Sequence, residues 1–162
     1  MDTLKLSDLI GKEIVEIRFH YVPENEYGSQ SFHSYIKLSN DAIIGIPEFD
    51  NEEYLELTPD NLDYFKMRFV TGEPAYEEVK TYFVGQKITG LFFNYYDNQI
   101  DIEQRAFIEL ANGIYLTENN FGQVGLPDID LIILDKEEFD EEVRRRESFG
   151  AEVRRFEKTT AI

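Results

Sequence analysis

The chain holds two histidines, His20 and His33, which flank the segment from Val22 to Phe32 with Glu24 and Glu26 inside it. If strands on either side pair as a hairpin, both rings come to its loop end, where two imidazoles and a carboxylate match the donor set of a divalent metal. The spacing fits no established metal motif, so the expectation is a pair of polar strand-end histidines and no metal or cofactor. Glycine-rich phosphate loops, a G-x-S-x-G elbow and H-E-x-x-H are all missing from the sequence. Carboxylate pairs such as Asp97 with Asp101, or Asp128 with Asp130, suit acid–base work or a calcium ion. Among 33 acidic residues such pairs arise by number alone. With Cys absent, disulfides, thiolate zinc sites and Cys nucleophiles are excluded together. The residues thus point to a non-enzyme.

Those side chains must be placed by a scaffold, and its strongest sequence feature is internal similarity. Ser7-Asp8-Leu9-Ile10-Gly11-Lys12-Glu13-Ile14 resembles Thr81-Tyr82-Phe83-Val84-Gly85-Gln86-Lys87-Ile88. Tyr35-Ile36-Lys37-Leu38-Ser39-Asn40 resembles Phe107-Ile108-Glu109-Leu110-Ala111-Asn112, and Ile46-Pro47-Glu48-Phe49-Asp50 resembles Leu126-Pro127-Asp128-Ile129-Asp130. Apolar and polar residues alternate from Val15 to Tyr21 and from Thr89 to Tyr95, which predicts strands with one buried face. Second strands follow (Ser34 to Leu38 in the first half), then tight turns at Asn40-Asp41 and Asn112-Gly113. Third strands are expected at Ile43 to Ile46 and Ile114 to Thr117. Leu131 to Leu134 reads as a buried strand, and Tyr54 to Leu57 as its wetter counterpart. Thr58-Pro59-Asp60 and Asp135 with Glu138 are helix starts. Gly72 and Gly150 then break the pattern before a second helix carrying Tyr76, Val79 and Phe83, or Val153 and Phe156. The prediction is an α+β fold of two tandem ββββαα-like repeats, about 7–80 and 81–158, mainly antiparallel sheet with helices packed on it. A half of that length is marginal alone, so residues 1–162 are expected to form a single domain with one shared core.

The formal net charge is −17, from 33 acids against 16 bases. Lys136 to Ile162 holds 8 acids and 7 bases, leaving 25 acids against 9 bases, net −16, over residues 1–135. In the C-terminal helix Asp140, Glu141 and Glu142 stand four residues before Arg144, Arg145 and Arg146, the favourable order for ion pairs. Elsewhere the acids lack counter-charge: Glu48, Asp50, Glu52, Glu53, Glu56, Asp60 and Asp63 follow one another with no base between, as do Asp97, Asp101 and Glu103. Such a surface disfavours nucleic acid and anionic membrane and attracts cations and basic proteins. The plainer alternative is that the acidity serves solubility. In the aromatic run Phe92-Phe93-Asn94-Tyr95-Tyr96, Phe93 and Tyr95 should face the core, while Phe92 and Tyr96 face either a helix or a partner.

An acidic, Cys-free α+β chain without catalytic motifs resembles, in physical character, the bacterial toxin-immunity proteins. That resemblance implies a cytoplasmic inhibitor that neutralises a basic protein toxin, for instance a nuclease; a related variant is a negatively charged mimic that blocks a nucleic-acid-binding protein. Glu48, Asp50, Glu52, Glu53, Glu56, Asp97, Asp101 and Glu103 would steer the partner, with Tyr54 or Tyr96 as anchor. No stretch is apolar for long enough to span a membrane, the chain's start does not read as a signal peptide, and a homo-oligomer is compatible with this reading. The runner-up is a small-ligand binder or hydrolase with a pocket near His20 and His33.

Overall fold

The computed structural model describes residues 4–22, 31–45, 56–75, 77–100, 106–118 and 131–156, with the backbone only at 21, 22, 31, 32, 56, 57 and 100. The chain begins with β1 (Leu4–Lys5) and a 3-10 turn at Leu6–Leu9. Then come β2 (Ile14–Val22), β3 (Ser31–Leu38), β4 (Ile43–Gly45), β5 (Glu56–Leu57), α1 (Pro59–Val70), β6 (Glu73–Pro74) and α2 (Glu77–Phe83). β7 (Ile88–Tyr96), β8 (Gln99–Ile100), β9 (Phe107–Leu110), β10 (Tyr115–Glu118), β11 (Leu131–Leu134), α3 (Lys136–Ser148) and β12 (Glu152–Arg155) follow. The fold is α+β and its strand pairs are antiparallel. One sheet runs β4-β3-β2-β6 and the other β11-β10-β9-β7-β12, with β8 also paired to β7; β1 and β5 form a separate pair.

The two sheets meet where β2 and β7 begin. Gly11 N–H donates to Ile88 O and Gly85 N–H to Ile14 O, while Ile14 N–H donates to Gln86 O and Ile88 N–H to Lys12 O, all at 2.7 to 2.9 Å. Donors and acceptors in each pair of bonds are exchanged by a shift of 74 residues, and the bridge between them joins Glu13 to Lys87, also 74 apart. Gly11 and Gly85 reach this geometry at φ 91° and 90°, a region open to glycine and strained for other residues. Beyond the seam each long strand carries an irregularity, at Ile14–Glu16 and at Ile88–Gly90. The extra residue turns Val15 out to solvent and keeps Ile14, Ile17 and Phe19 buried on either side of it.

Each sheet has one face in a common core and one face under a helix. Ile17, Phe19, Ile36, Leu38 and Ile44 join Leu91, Phe93, Ile108 and Leu116 in a single cluster, with Leu6, Leu9 and Phe83 packed among them. The opposite face of the first sheet is covered by α1, whose Phe65 ring lies 6.2 Å from that of Tyr35. The opposite face of the second is covered by α3: the Phe139 ring stacks at 3.9 Å on Tyr115 and meets Phe92 and Phe107 edge-on. Phe92 is therefore helix-covered, whereas Tyr96 is exposed. Both helices start on capping boxes, Thr58 with Asn61 and Asp135 with Glu138.

Three expectations change. No second helix follows Gly150: Val153 lies in β12, because the open edge of β7 offers a ladder from Phe92 to Tyr95 that a short helical turn would leave unpaired. Arg154 and Arg155 reinforce it by lying over the Tyr95 and Phe92 rings. β11 is only partly buried, since among the described residues it pairs with β10 alone and so forms a sheet edge. In α3 the ion pairs are Lys136–Asp140, Arg145–Glu142 and Arg146–Glu142, so Arg145 turns to Glu142 instead of Glu141. Arg146 is buried, donating to Asn94 Oδ1 at 2.7 Å with its guanidinium over the Phe107 ring.

Gly72 sets how closely α1 approaches β2. A Cβ there would stand 2.9 Å from Phe19 O and 3.0 Å from Arg68 O, both backbone atoms that cannot swing away. Gly72→Ala is therefore expected to destabilise the fold by about 1–3 kcal/mol through overpacking. An unchanged urea midpoint for this variant would contradict so tight an approach.

Candidate functional site

The antiparallel register of β2 and β3 sets His20 directly opposite His33, so the chain's two imidazoles share one face of one sheet. That face is the one covered by α1, and the last turn of α1 supplies the neighbours of His20. Thr71 Oγ1 donates to Met67 O at 2.9 Å and stands 3.3 Å from His20 Nδ1. Burial, the Arg68 guanidinium and the facing His33 all hold the His20 imidazole below its ordinary pKa.

His33 looks to the other sheet. Glu118, the last residue of β10, is 3% exposed. Its Oε2 accepts the Ser34 N–H at 2.7 Å, and its Oε1 lies 3.4 Å from His33 Nδ1. One buried side chain thus ties the second sheet to the first. Ser34, next to His33 on the strand, points the opposite way, beside Phe19; its buried hydroxyl has no hydrogen-bond partner among the described residues. The Ser–His–carboxylate line of a hydrolase is therefore not formed by these three. Among the described residues no three His, Asp or Glu side chains gather closely enough to share a metal ion.

A second polar cluster lies under α3. Arg155 binds Glu109 with two parallel hydrogen bonds at 3.0 and 2.9 Å, and Thr89 and Tyr115 donate to the same carboxylate at 2.9 Å each. Burial pushes the Glu109 carboxyl up, but the bonds from Arg155, Thr89 and Tyr115 outweigh it and hold the group below its usual range. Burial and the bond to Glu109 raise the Tyr115 hydroxyl to about 12. A carboxylate satisfied by three donors and a phenol that stays protonated are the marks of a structural network.

Of the residues expected to bind a partner, the structure sets Tyr96 and Asp97 side by side. Tyr96 ends β7 with 52% of its surface exposed, and Asp97 and Asn98, at φ 51° and 63°, make the two-residue turn into β8. Glu56 lies in β5, its backbone opposite Lys5. Glu48, Asp50, Glu52, Glu53, Tyr54, Asp101 and Glu103, like Glu24 and Glu26, lie outside the described residues. The chain matches no protein-family model, no curated protein and no solved structure. The reading of its function therefore rests on its own residues. Among the described residues no helix is long and apolar enough to cross a membrane.

The expected Glu142–Arg146 pair forms, but sequence reasoning passed over the contacts of Glu118 with Ser34 and of Arg146 with Asn94. Nothing in local spacing marks either one, since their partners lie 84 and 52 residues away.

Two expected outcomes follow from the cluster at the histidines. Glu118→Ala removes the acceptor of a buried N–H and should cost about 1–3 kcal/mol in denaturant unfolding, whereas Glu118→Gln, which keeps an acceptor oxygen, should cost less. Equal losses would argue against the Ser34 contact. A histidine whose folded pKa is depressed binds fewer protons than it does in the unfolded chain. Its contribution is complete above the unfolded value of 6.5 and is lost as pH falls through the folded one. The fall in urea midpoint between about pH 7.5 and 5.5 should accordingly be smaller for His20→Asn than for the wild type, and an identical fall would remove His20 from the acid limb.

Proposed function

We propose that this chain is a non-enzymatic acidic binding protein of the immunity or inhibitor kind, which neutralises a basic protein toxin, a nuclease being one such target, in the cytoplasm. The observation that carries the reading is the uneven distribution of a net charge of −17. In α3, Asp140 and Glu142 are held by Lys136, Arg145 and Arg146. Asp60, Asp63, Glu73, Glu78 and Asp97 make no ion pair among the described residues, and all are exposed. Acids left unpaired at the surface raise the negative potential of the chain and the rate at which a cationic protein encounters it. Exposed Tyr96 beside Asp97 provides an aromatic anchor next to a steering charge.

The test is affinity capture from lysate of the source cell at about 50 mM and about 500 mM salt. One basic protein should be retained at low salt and released at high salt. Its retention should fall steeply when Glu48, Asp50, Glu52 and Glu53 become Gln or Asn, and also for Tyr96→Ala. Retention of no specific protein at either salt, or capture indifferent to these changes, defeats the proposal.

A further inference from the structure

We infer that His20 and His33 form a binding site for a divalent transition ion such as zinc, held between the two imidazoles. The inference stands apart from the acidic-binding reading above. In the register of β2 and β3 the two residues are direct cross-strand partners, and such partners have Cβ atoms about 5 Å apart on their shared face. Two imidazole nitrogens on one tetrahedral zinc, each at about 2.0–2.1 Å, stand roughly 3.3 Å from each other. Rings rooted so close together converge to that separation by side-chain rotation, with the backbone left where it is.

Each ring also has its Nδ1 beside an oxygen that is fixed from elsewhere. Glu118 accepts the Ser34 N–H through Oε2 at 2.7 Å and turns Oε1 to His33 Nδ1 at 3.4 Å. Thr71 Oγ1 is tied to Met67 O and lies 3.3 Å from His20 Nδ1. An oxygen on one ring nitrogen is the arrangement that orients a ligating histidine, whose other nitrogen, here Nε2, takes the metal. Glu118 is buried while both histidines are half-buried, so an ion meets the rings from solvent and the orienting carboxylate stays dry. The fold itself does not ask for imidazole at this place: 74 residues on from His20, Asn94 in β7 accepts from the buried Arg146. Arg68 opposes a cation at His20, whereas Glu118 and the chain's net charge of −17 favour one. No third His, Asp or Glu among the described residues joins the pair, which leaves the other coordination positions to water and makes the ion exchangeable. Nitrogen donors select zinc, copper or nickel over calcium and magnesium, which seek oxygen.

The probe is zinc chloride, titrated into the full chain at neutral pH, with calcium chloride as the control for the many carboxylates. The ring 1H–15N signals of His20 and His33 should shift together with zinc and stay in place with calcium. In calorimetry Glu118→Gln should weaken zinc binding about tenfold, and His20→Asn or His33→Asn should weaken it further, with urea midpoints reporting that each variant folds. Zinc that shifts neither ring or only one, an equal response to calcium, or binding indifferent to both histidine substitutions assigns the ion to carboxylates elsewhere and overturns the inference. If the histidine variants lose zinc and Glu118→Gln does not, the orienting role of Glu118 falls and the two-histidine site stands.

Discussion

The arrangement of the whole molecule depends on a few backbone hydrogen bonds where β2 and β7 start. Among the described residues they join the starts of the two long strands, and two of them form because Gly11 and Gly85 take up a left-handed conformation that brings each N–H to a carbonyl across the seam. With those bonds in place, the inner faces of both sheets close over Ile14, Ile88, Leu9 and Phe83, all fully buried. The outer faces are then left for α1 and α3. A side chain at either glycine would meet no steric obstacle, since nothing lies within 4 Å of the added atom. The constraint at these two positions is therefore conformational, and space is not limiting.

Away from the seam, polar side chains complete what the backbone begins. Taking a carboxylate or guanidinium partly out of water is costly unless partners compensate it, and the second sheet supplies such partners twice. Glu109 receives Arg155, Thr89 and Tyr115 together. Arg146 is shared between Glu142 and Asn94. At position 20 the first sheet carries histidine where the second, 74 residues on, carries Asn94. Asparagine accepts from the nearby arginine; the imidazole is instead disfavoured in its charged form by burial and then by Arg68. The same sheet position is thus locked in one half and proton-sensitive in the other.

Much of the local structure was legible in the sequence because local structure has local causes. Asn40 and Asn112 made the hairpin turns plain, and each side-chain oxygen accepts the N–H two residues on at 3.2 Å. Thr58-Pro59 and Asp135 with Glu138 marked the helix starts. What stayed illegible depends on distant partners. Residues 152–155 became a strand because β7 had an edge to fill, Val15 turned outward at an irregularity that no two-residue alternation signals, and Glu118 found Ser34 across the sheets. For the candidate surface, Tyr96 and Asp97 are chain neighbours and could be read together. The exposure of Tyr64, Met67 and Val70 on α1 was missed because the helical pattern was followed only on the inward side, through Leu62, Phe65 and Phe69.

The distribution of charge bears on why an unpaired acidic surface persists at all. Repulsion among like charges within about 8 Å is poorly screened at physiological salt and lowers stability. A Lys or Arg placed four residues after an acid on α1 would relieve it, as Asp140 and Glu142 are relieved on α3. The only base that follows an exposed acid of α1 at helical spacing is Lys66, three residues after Asp63, and the two make no ion pair. Position 64, four after Asp60, is Tyr, and position 67, four after Asp63, is Met. The places where counter-ions would best stabilise α1 are therefore occupied by the exposed apolar side chains themselves. One set of residues thus both withholds the compensating charge and offers contact area. Solubility alone accounts for the first property and is opposed by the second.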